Sequence, residues 1–205
     1  MSKLILVRHG ESEHNAKGIW TGWLDPMLTP KGQEHAKKIG QKLKDYQVKR
    51  AFVSELKRAR QTWDLIHQEI TSGKNHLPVT THKHLNERHY GVFAGKNKWQ
   101  VKKDVGEEEF MRIRRSWDYP LPDGESLKNV YERSVPYYQQ VIKPYIEKGE
   151  IVISVTHGNT NRALIKHLED IADHLIPTVE MPHELIVIYH FTRGKVYEKE
   201  TITID

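Results

Sequence analysis

Two short apolar runs, Leu4–Val7 and Ile151–Val155, lie far apart along the chain. Runs of this length, bounded by polar residues, predict buried strands, the second covered on both faces as strands of a parallel sheet are. Ala51–Ser54, Pro78–Thr81 and Leu185–Tyr189 read as further strands. Val196–Ile204 alternates in polarity and is expected nearer an edge. The pattern between these strands has a helical period. Thr29-Pro30 offers a cap followed by proline at the first helical position, and Ala36, Ile39, Gly40 and Leu43 continue one face. Leu56, Ala59, Trp63, Ile66 and Ile70 form a second stripe, closed by a turn over Thr71–Asn75. Short helices are expected over Lys98–Asp104 and Glu107–Trp117. A long helix is expected from Ser126 to about Glu147, bent at Pro136, and another over Thr160–Leu168.

Strand–helix alternation predicts an α/β fold, a three-layer α/β/α sandwich on a mainly parallel sheet. The 205 residues fit one domain over 1–205. Residues 86–124 read as an insertion or lid over one end of the sheet, closed by Pro120, Pro122, Asp123 and Gly124.

Composition narrows the chemistry. The chain has no cysteine, which excludes disulfides, thiolate metal sites and a cysteine nucleophile. Leu4–Val7 is too short for a signal peptide or a membrane helix, and a cytoplasmic protein without a membrane partner is expected. Lys and Arg number 32 against 27 Asp and Glu, a formal charge of +5. The cations are interleaved with acids, as in Glu107–Glu109 before Arg112, Arg114 and Arg115, and no zinc finger, RNP motif or basic arm is present. No nucleic-acid partner is expected. A cationic pocket for a small anion needs only a few of these groups.

Ligands of open α/β sheets bind beyond the carboxyl ends of the strands. Two strand ends carry a His-Gly pair: Arg8-His9-Gly10 and Thr156-His157-Gly158-Asn159. Glycine permits a tight turn and close approach of backbone amides to an anion. A lone histidine among 13 says little, but two such pairs predict one shared pocket. Imidazole is nucleophilic near neutrality, and Arg8 presents a fork suited to phosphate oxygens. Arg58 can complete the clamp or can lie on a solvated helix face beside Lys57 and Arg60. Metal ligation is the competing use of His82, His84, His89, His9 and His157. No HExxH motif or set of carboxylate ligands accompanies them, so no metal is expected, and His82 and His84 are read as surface residues. Ser-His-Asp catalysis lacks its GxSxG elbow.

Leu6–Ser12, with its Arg8-His9-Gly10 core, resembles the motif of the histidine phosphatase superfamily. Over nearly the whole chain the resemblance is to its cofactor-dependent phosphoglycerate mutases. It is carried by Thr21-Gly22-Trp23, Ser54–Ala59, Leu85–Gly91, Arg114-Arg115 and His157–Asn159, in that family's order. The resemblance implies a histidine phosphatase-like fold and a 3-phosphoglycerate/2-phosphoglycerate interconversion in glycolysis and gluconeogenesis. It implies a phosphohistidine at His9, 2,3-bisphosphoglycerate as primer and no metal. By the same resemblance Arg8, Arg58 and His157 hold the phosphoryl oxygens, and Glu87 is the general acid and base. Ser12, Asn15, Thr21, Gly22, Gly158 and Asn159 complete the phosphate and substrate contacts. Tyr90, Lys98, Arg114 and Arg115 read the carboxylate or second phosphate. Without the resemblance, Arg112, Arg114 and Arg115 read as a solvated face balancing Glu107–Glu109.

Three departures from the family pattern stand out. Ser116–Gly124 is a short crossing, the chain stops at Asp205 without the mobile tail of many mutases, and Met181-Pro182-His183-Glu184 replaces an Ile-Pro-Thr-Gly segment. They imply a more open pocket, in which water reaches a phosphohistidine. The alternatives are therefore a histidine-type phosphatase for phosphate monoesters and a non-catalytic module that holds a phosphorylated ligand. Homo-oligomeric assembly is left open.

Overall fold

The computed structural model describes residues 2–73 and 76–204. Among the described residues six strands form one sheet: β1 (Ser2–Arg8), β2 (Arg50–Val53), β3 (Val79–Thr81), β4 (Ile151–Thr156), β5 (Leu185–Thr192) and β6 (Lys195–Thr203). Their spatial order is β3-β2-β4-β1-β5-β6. Only β5 runs against its neighbours β1 and β6, and the other pairings are parallel. The polar–apolar alternation of residues 196–204 belongs to the outermost strand.

Side chains that alternate along the central strands enter opposite layers. Ile5, Val7, Ala51, Val53, Ile153 and Val155 pack against the helices α2 (Pro30–Leu43) and α3 (Lys57–Thr71). Leu4, Leu6, Phe52 and Val152 face the other layer, built by α6 (Leu127–Tyr137), α7 (Lys143–Glu147) and α8 (Gly158–Leu168). Each of these side chains larger than Ala51 contributes about 1.5–3 kcal/mol by leaving water, which commits the central strands to one register. The remaining helices are α1 (Glu13–Ala16), α4 (Lys98–Val105) and α5 (Glu107–Arg115). Trp20, Tyr90, Val101, Phe110, Ile113 and Leu121 form a separate apolar cluster that joins α4 and α5 to the loop at Trp20.

Several boundaries differ from the sequence expectation. Residues 126–147 are not one bent α-helix: a π-helical turn at Tyr138–Ile142 separates α6 from α7. Pro144 follows that turn and has no N–H for the carbonyl four residues back, whereas Pro136 sits inside α6. Helix α8 starts at Gly158, two residues before the expected Thr160, because its polar first turn is buried. Glu13–Ala16 is a helical turn capped by Ser12. His82 and His84, expected at the surface, are half-buried, with His82 stacked on Tyr137 at 4.4 Å. Of the expected turn at 71–75, Ser72 takes the left-handed conformation that ends α3, while Lys74 and Asn75 lie outside the described residues.

Candidate active site

β1 and β4 are adjacent and parallel, with Arg8 opposite Thr156. One residue further on each strand stand His9 and His157, their rings 4.9 Å apart. The His9 amide donates to the Thr156 carbonyl at 2.9 Å and extends the ladder to the edge of the cleft. Gly10 was expected to offer its amide to a ligand. Instead that amide donates to Thr62 Oγ1 at 2.9 Å. A Cβ at Gly10 would lie 2.3 Å from the Gly32 carbonyl oxygen, so the glycine lets the end of β1 abut the first turn of α2.

The hydrogen bonds fix which nitrogen of each imidazole is reactive. His9 Nδ1–H donates to the Gly10 carbonyl at 2.7 Å, which leaves the lone pair on Nε2. Arg58 Nε lies 3.3 Å from that lone pair. The Arg58 fork is held by the carbonyls of Leu24 and Gly22, both at 2.9 Å. His9 is 2% exposed. Burial first, then the charges of Arg58, His157, His183 and Arg8, push its pKa well below the usual histidine range and keep it neutral. His157 is held neutral in the same way, by burial and then by Arg58 and Arg8. Its Nε2 lies 2.7 Å from Ser54 Oγ, whose own proton goes to Asn86 Oδ1 at 2.8 Å. The Glu55 amide also donates to Asn86 Oδ1, so this atom is an acceptor. His157 Nε2 therefore carries the proton, and its Nδ1 is buried without a partner. Arg8 Nε and Thr21 Oγ1 are likewise buried and unpartnered. Unpaired buried polar atoms are costly; the oxygens of an anion suit Arg8 Nε and Thr21 Oγ1, whereas His157 Nδ1, which holds a lone pair in this tautomer, would donate to them only after taking up a proton.

Glu87 Oε1 accepts from the backbone amides of Arg88 at 2.7 Å and Asn159 at 3.2 Å. These bonds leave Oε2 for a substrate proton. Asn159 continues the chain of contacts: its Nδ2 donates to the Tyr90 hydroxyl at 3.0 Å and its Oδ1 accepts from Arg162 Nη1 at 2.9 Å.

The cleft has two lobes. The inner lobe, about 50 Å³, is lined by Arg8, His9, Asn15, Thr21, Gly22 and Arg58. The outer lobe, about 110 Å³, is lined by Arg114, Arg115, Arg162, Gly158, Asn159 and Glu180. Arg8, Trp20, Glu87, Tyr90 and Lys98 line both. A larger hollow of about 400 Å³ between α3 and residues 76–81 holds none of these side chains. Lys98 is the first residue of α4, where the helix dipole disfavours a cation. Burial, then Arg8 and Arg114, lower its pKa to about 8. Arg114 and Arg115 end α5 and reach the outer lobe, whereas Arg112 stays outside, paired with Glu108 at 2.8 Å. Ser12 sits apart from the lobe linings. Its hydroxyl donates to Asn15 Oδ1 and accepts the Asn15 amide, capping α1. His89 bonds the Asp123 carbonyl outside the cleft.

Four residues important to this geometry escape the sequence reading. Arg162 and Arg88 are 3% and 1% exposed, yet neither is primarily a ligand cation. Arg88 donates to the Ile113 carbonyl and Arg162 to those of Arg115 and Ile176, so together they hold the end of α5 against the cleft. His183 Nδ1 lies 2.5 Å from the His9 carbonyl, with its ring 5.2 Å from the His9 ring. Thr62 anchors Gly10. The one signal in the sequence is the polar run Gly158-Asn159-Thr160-Asn161-Arg162 directly after a strand.

A family model described as histidine phosphatase superfamily (branch 1) matches residues 4–202. The chain is 43% identical over 200 residues to a 2,3-bisphosphoglycerate-dependent phosphoglycerate mutase of Afipia carboxidovorans, covering 97% of this chain and 96% of that protein. It is 42% identical over 202 residues to a phosphoglycerate mutase of Schizosaccharomyces pombe, covering 97% and 95%. Among solved structures, Bacillus stearothermophilus YhfR superposes with a TM-score of 0.82 at 26% identity, covering 96% of this chain and 95% of that one. A mycobacterial glucosyl-3-phosphoglycerate phosphatase superposes with a TM-score of 0.82 at 22% identity, covering 99% and 98%, a likeness of fold alone.

Proposed function

Because this chain belongs to the histidine phosphatase superfamily (branch 1), we propose that it is an enzyme interconverting 3-phosphoglycerate and 2-phosphoglycerate, primed by 2,3-bisphosphoglycerate. The observation that carries this reading is the pair of cationic lobes joined across Glu87. A simple monoesterase needs only the inner one. A phosphoglycerate brings a phosphate and a carboxylate, and the bisphosphate adds a second phosphate.

The proposed chemistry follows from the atoms. His9 Nε2, neutral and aimed by Nδ1, attacks phosphorus in line. The N–P bond forms as the P–O bond to the leaving oxygen breaks, and Glu87 supplies the proton that oxygen needs. Arg8, Arg58 and His157 take up charge on the equatorial oxygens as it develops. In the reverse sense Glu87 accepts the proton of a substrate hydroxyl, whose oxygen takes the phosphoryl group from His9. Loading of His9 by the bisphosphate starts the cycle. The unpartnered Arg8 Nε and Thr21 Oγ1 fit a phosphate, His157 joins them when its Nδ1 takes up a proton as the anion enters, and the Arg114–Arg115 end of α5 fits the distal acid.

The test supplies 3-phosphoglycerate with and without trace 2,3-bisphosphoglycerate and follows both 2-phosphoglycerate and free phosphate. Rapid isomerisation that needs the bisphosphate and releases little phosphate is expected, with His9→Ala losing both isomerisation and phosphoenzyme labelling. Phosphate release without isomerisation identifies a phosphatase. Binding without labelling or turnover identifies a phospholigand-binding module.

A further inference from the structure

The outer lobe contains a carboxylate among its cations. Glu180 Oε1 lies 2.5 Å from Arg115 Nη2, and Lys98, Arg114 and Arg162 line the same space. The two partners of this ion pair differ in freedom. The Arg115 side chain is 14% exposed and Glu180 is 62% exposed. Glu180 can therefore turn into water at little cost, while Arg115 stays at the cleft wall. The surrounding frame does not have to move with it. Arg162 donates from Nη1 to Asn159 Oδ1 and from Nη2 to the carbonyls of Arg115 and Ile176, and the bond to the Arg115 carbonyl fixes the backbone from which Arg115 projects.

Resting on the phosphoglycerate reading above, we propose that Glu180 is a resident counter-anion of the outer lobe, displaced from Arg115 by the distal acidic group of the substrate, and so a specificity-determining residue. In the empty cleft it offsets repulsion among cations that line one small space. That repulsion shows at Lys98, which Arg8 and Arg114 push in the same direction as burial does. When a phosphate monoester bearing a carboxylate enters, its carboxylate takes the Arg115 fork and Glu180 swings outward. Displacing this carboxylate lowers affinity for ligands with a second anionic group and leaves ligands that fill only the inner lobe unaffected. The lobe's preference thus depends on Glu180 as well as on its cations.

The experiment measures dissociation constants for three ligands on the whole chain, by calorimetric titration of the wild type, Glu180→Gln and Glu180→Asp. Glycerol phosphate lacks the carboxylate of 3-phosphoglycerate, and 2,3-bisphosphoglycerate adds a second phosphate. In Glu180→Gln, 3-phosphoglycerate and the bisphosphate are expected to bind about three- to tenfold more tightly at low salt. Glycerol phosphate should stay within about twofold. The gain should shrink as salt rises, and Glu180→Asp should keep the wild-type order. Equal changes for all three ligands, no change, or weaker 3-phosphoglycerate binding would overturn the proposal, the last making Glu180 a mere anchor for Arg115. A wild type that binds glycerol phosphate but neither phosphoglycerate tells against the activity reading instead. Appearance of 3-phosphoglycerate binding in Glu180→Gln would then still support the role of Glu180, and its absence would overturn it.

Discussion

The two lobes of the cleft hold their charges in different ways. In the inner lobe the main groups are tied to backbone: Arg58 to the Gly22 and Leu24 carbonyls, His9 to those of Gly10 and Thr156, Glu87 to two amides. In the outer lobe Lys98, Arg114 and Arg115 reach in as side chains from helix ends, and the backbone behind them is fixed instead. Bond making tolerates little misplacement, so donors there must be aimed before the substrate arrives. Recognition of a distal acid tolerates a swinging guanidinium, provided the helix end that carries it stays put.

The largest expected effect separates these modes. Arg58→Met removes a pre-aimed donor from His9, and kcat should fall by about 10²–10³ with a smaller change in KM. Steady-state kinetics checks this, and a loss confined to KM would erase the distinction between the lobes. Arg114→Met should do the opposite. KM for 3-phosphoglycerate should rise by about tenfold to a hundredfold, with affinity for inorganic phosphate little changed. The third prediction uses the Lys98 value of about 8. Lysine is cationic below its pKa, so KM should hold steady below pH 8 and then climb, by up to about tenfold per unit. A flat KM profile in Lys98→Met would assign the slope to this side chain, and a slope that survives would remove Lys98 from the comparison. The smallest effect concerns Ser12. Ser12→Ala should cost about 0.5–2 kcal/mol of stability in urea, as loss of a helix cap does, and leave kcat/KM within about twofold. A larger kinetic loss would return the hydroxyl to the inner lobe.

Much of the inner lobe is readable from local sequence because its histidines sit at the ends of apolar strands. Once Leu4–Val7 and Ile151–Val155 are placed side by side, His9 and His157 must meet. The α/β sandwich is legible for the same reason, since period-two and period-3.6 patterns each name a face. Arg88 and Arg162 were not legible, because an arginine used to bind helix-end carbonyls looks in sequence like one used to bind water. Its acceptors, at Ile113, Arg115 and Ile176, lie far along the chain. Gly10 was legible as a special position but for the wrong reason, since its neighbour Gly32 belongs to a helix whose docking is a tertiary fact. The Pro144 turn was missed because Pro136 is the more conspicuous breaker.

The reversed direction of β5 has a consequence for how such a site can diversify. Ile186, near the start of β5, stands beside Val7, near the end of β1, so residues 179–184 are delivered to the rim from outside the parallel core. Within this stretch His183 bonds the His9 carbonyl and the Met181 carbonyl accepts from Arg8, so the positions around them, Glu180 above all, are the ones free to change what the rim prefers. The rim is thus carried by a strand of the opposite sense to the one that carries His9, and residues 179–184 are the place where a graft from a relative would first alter selectivity.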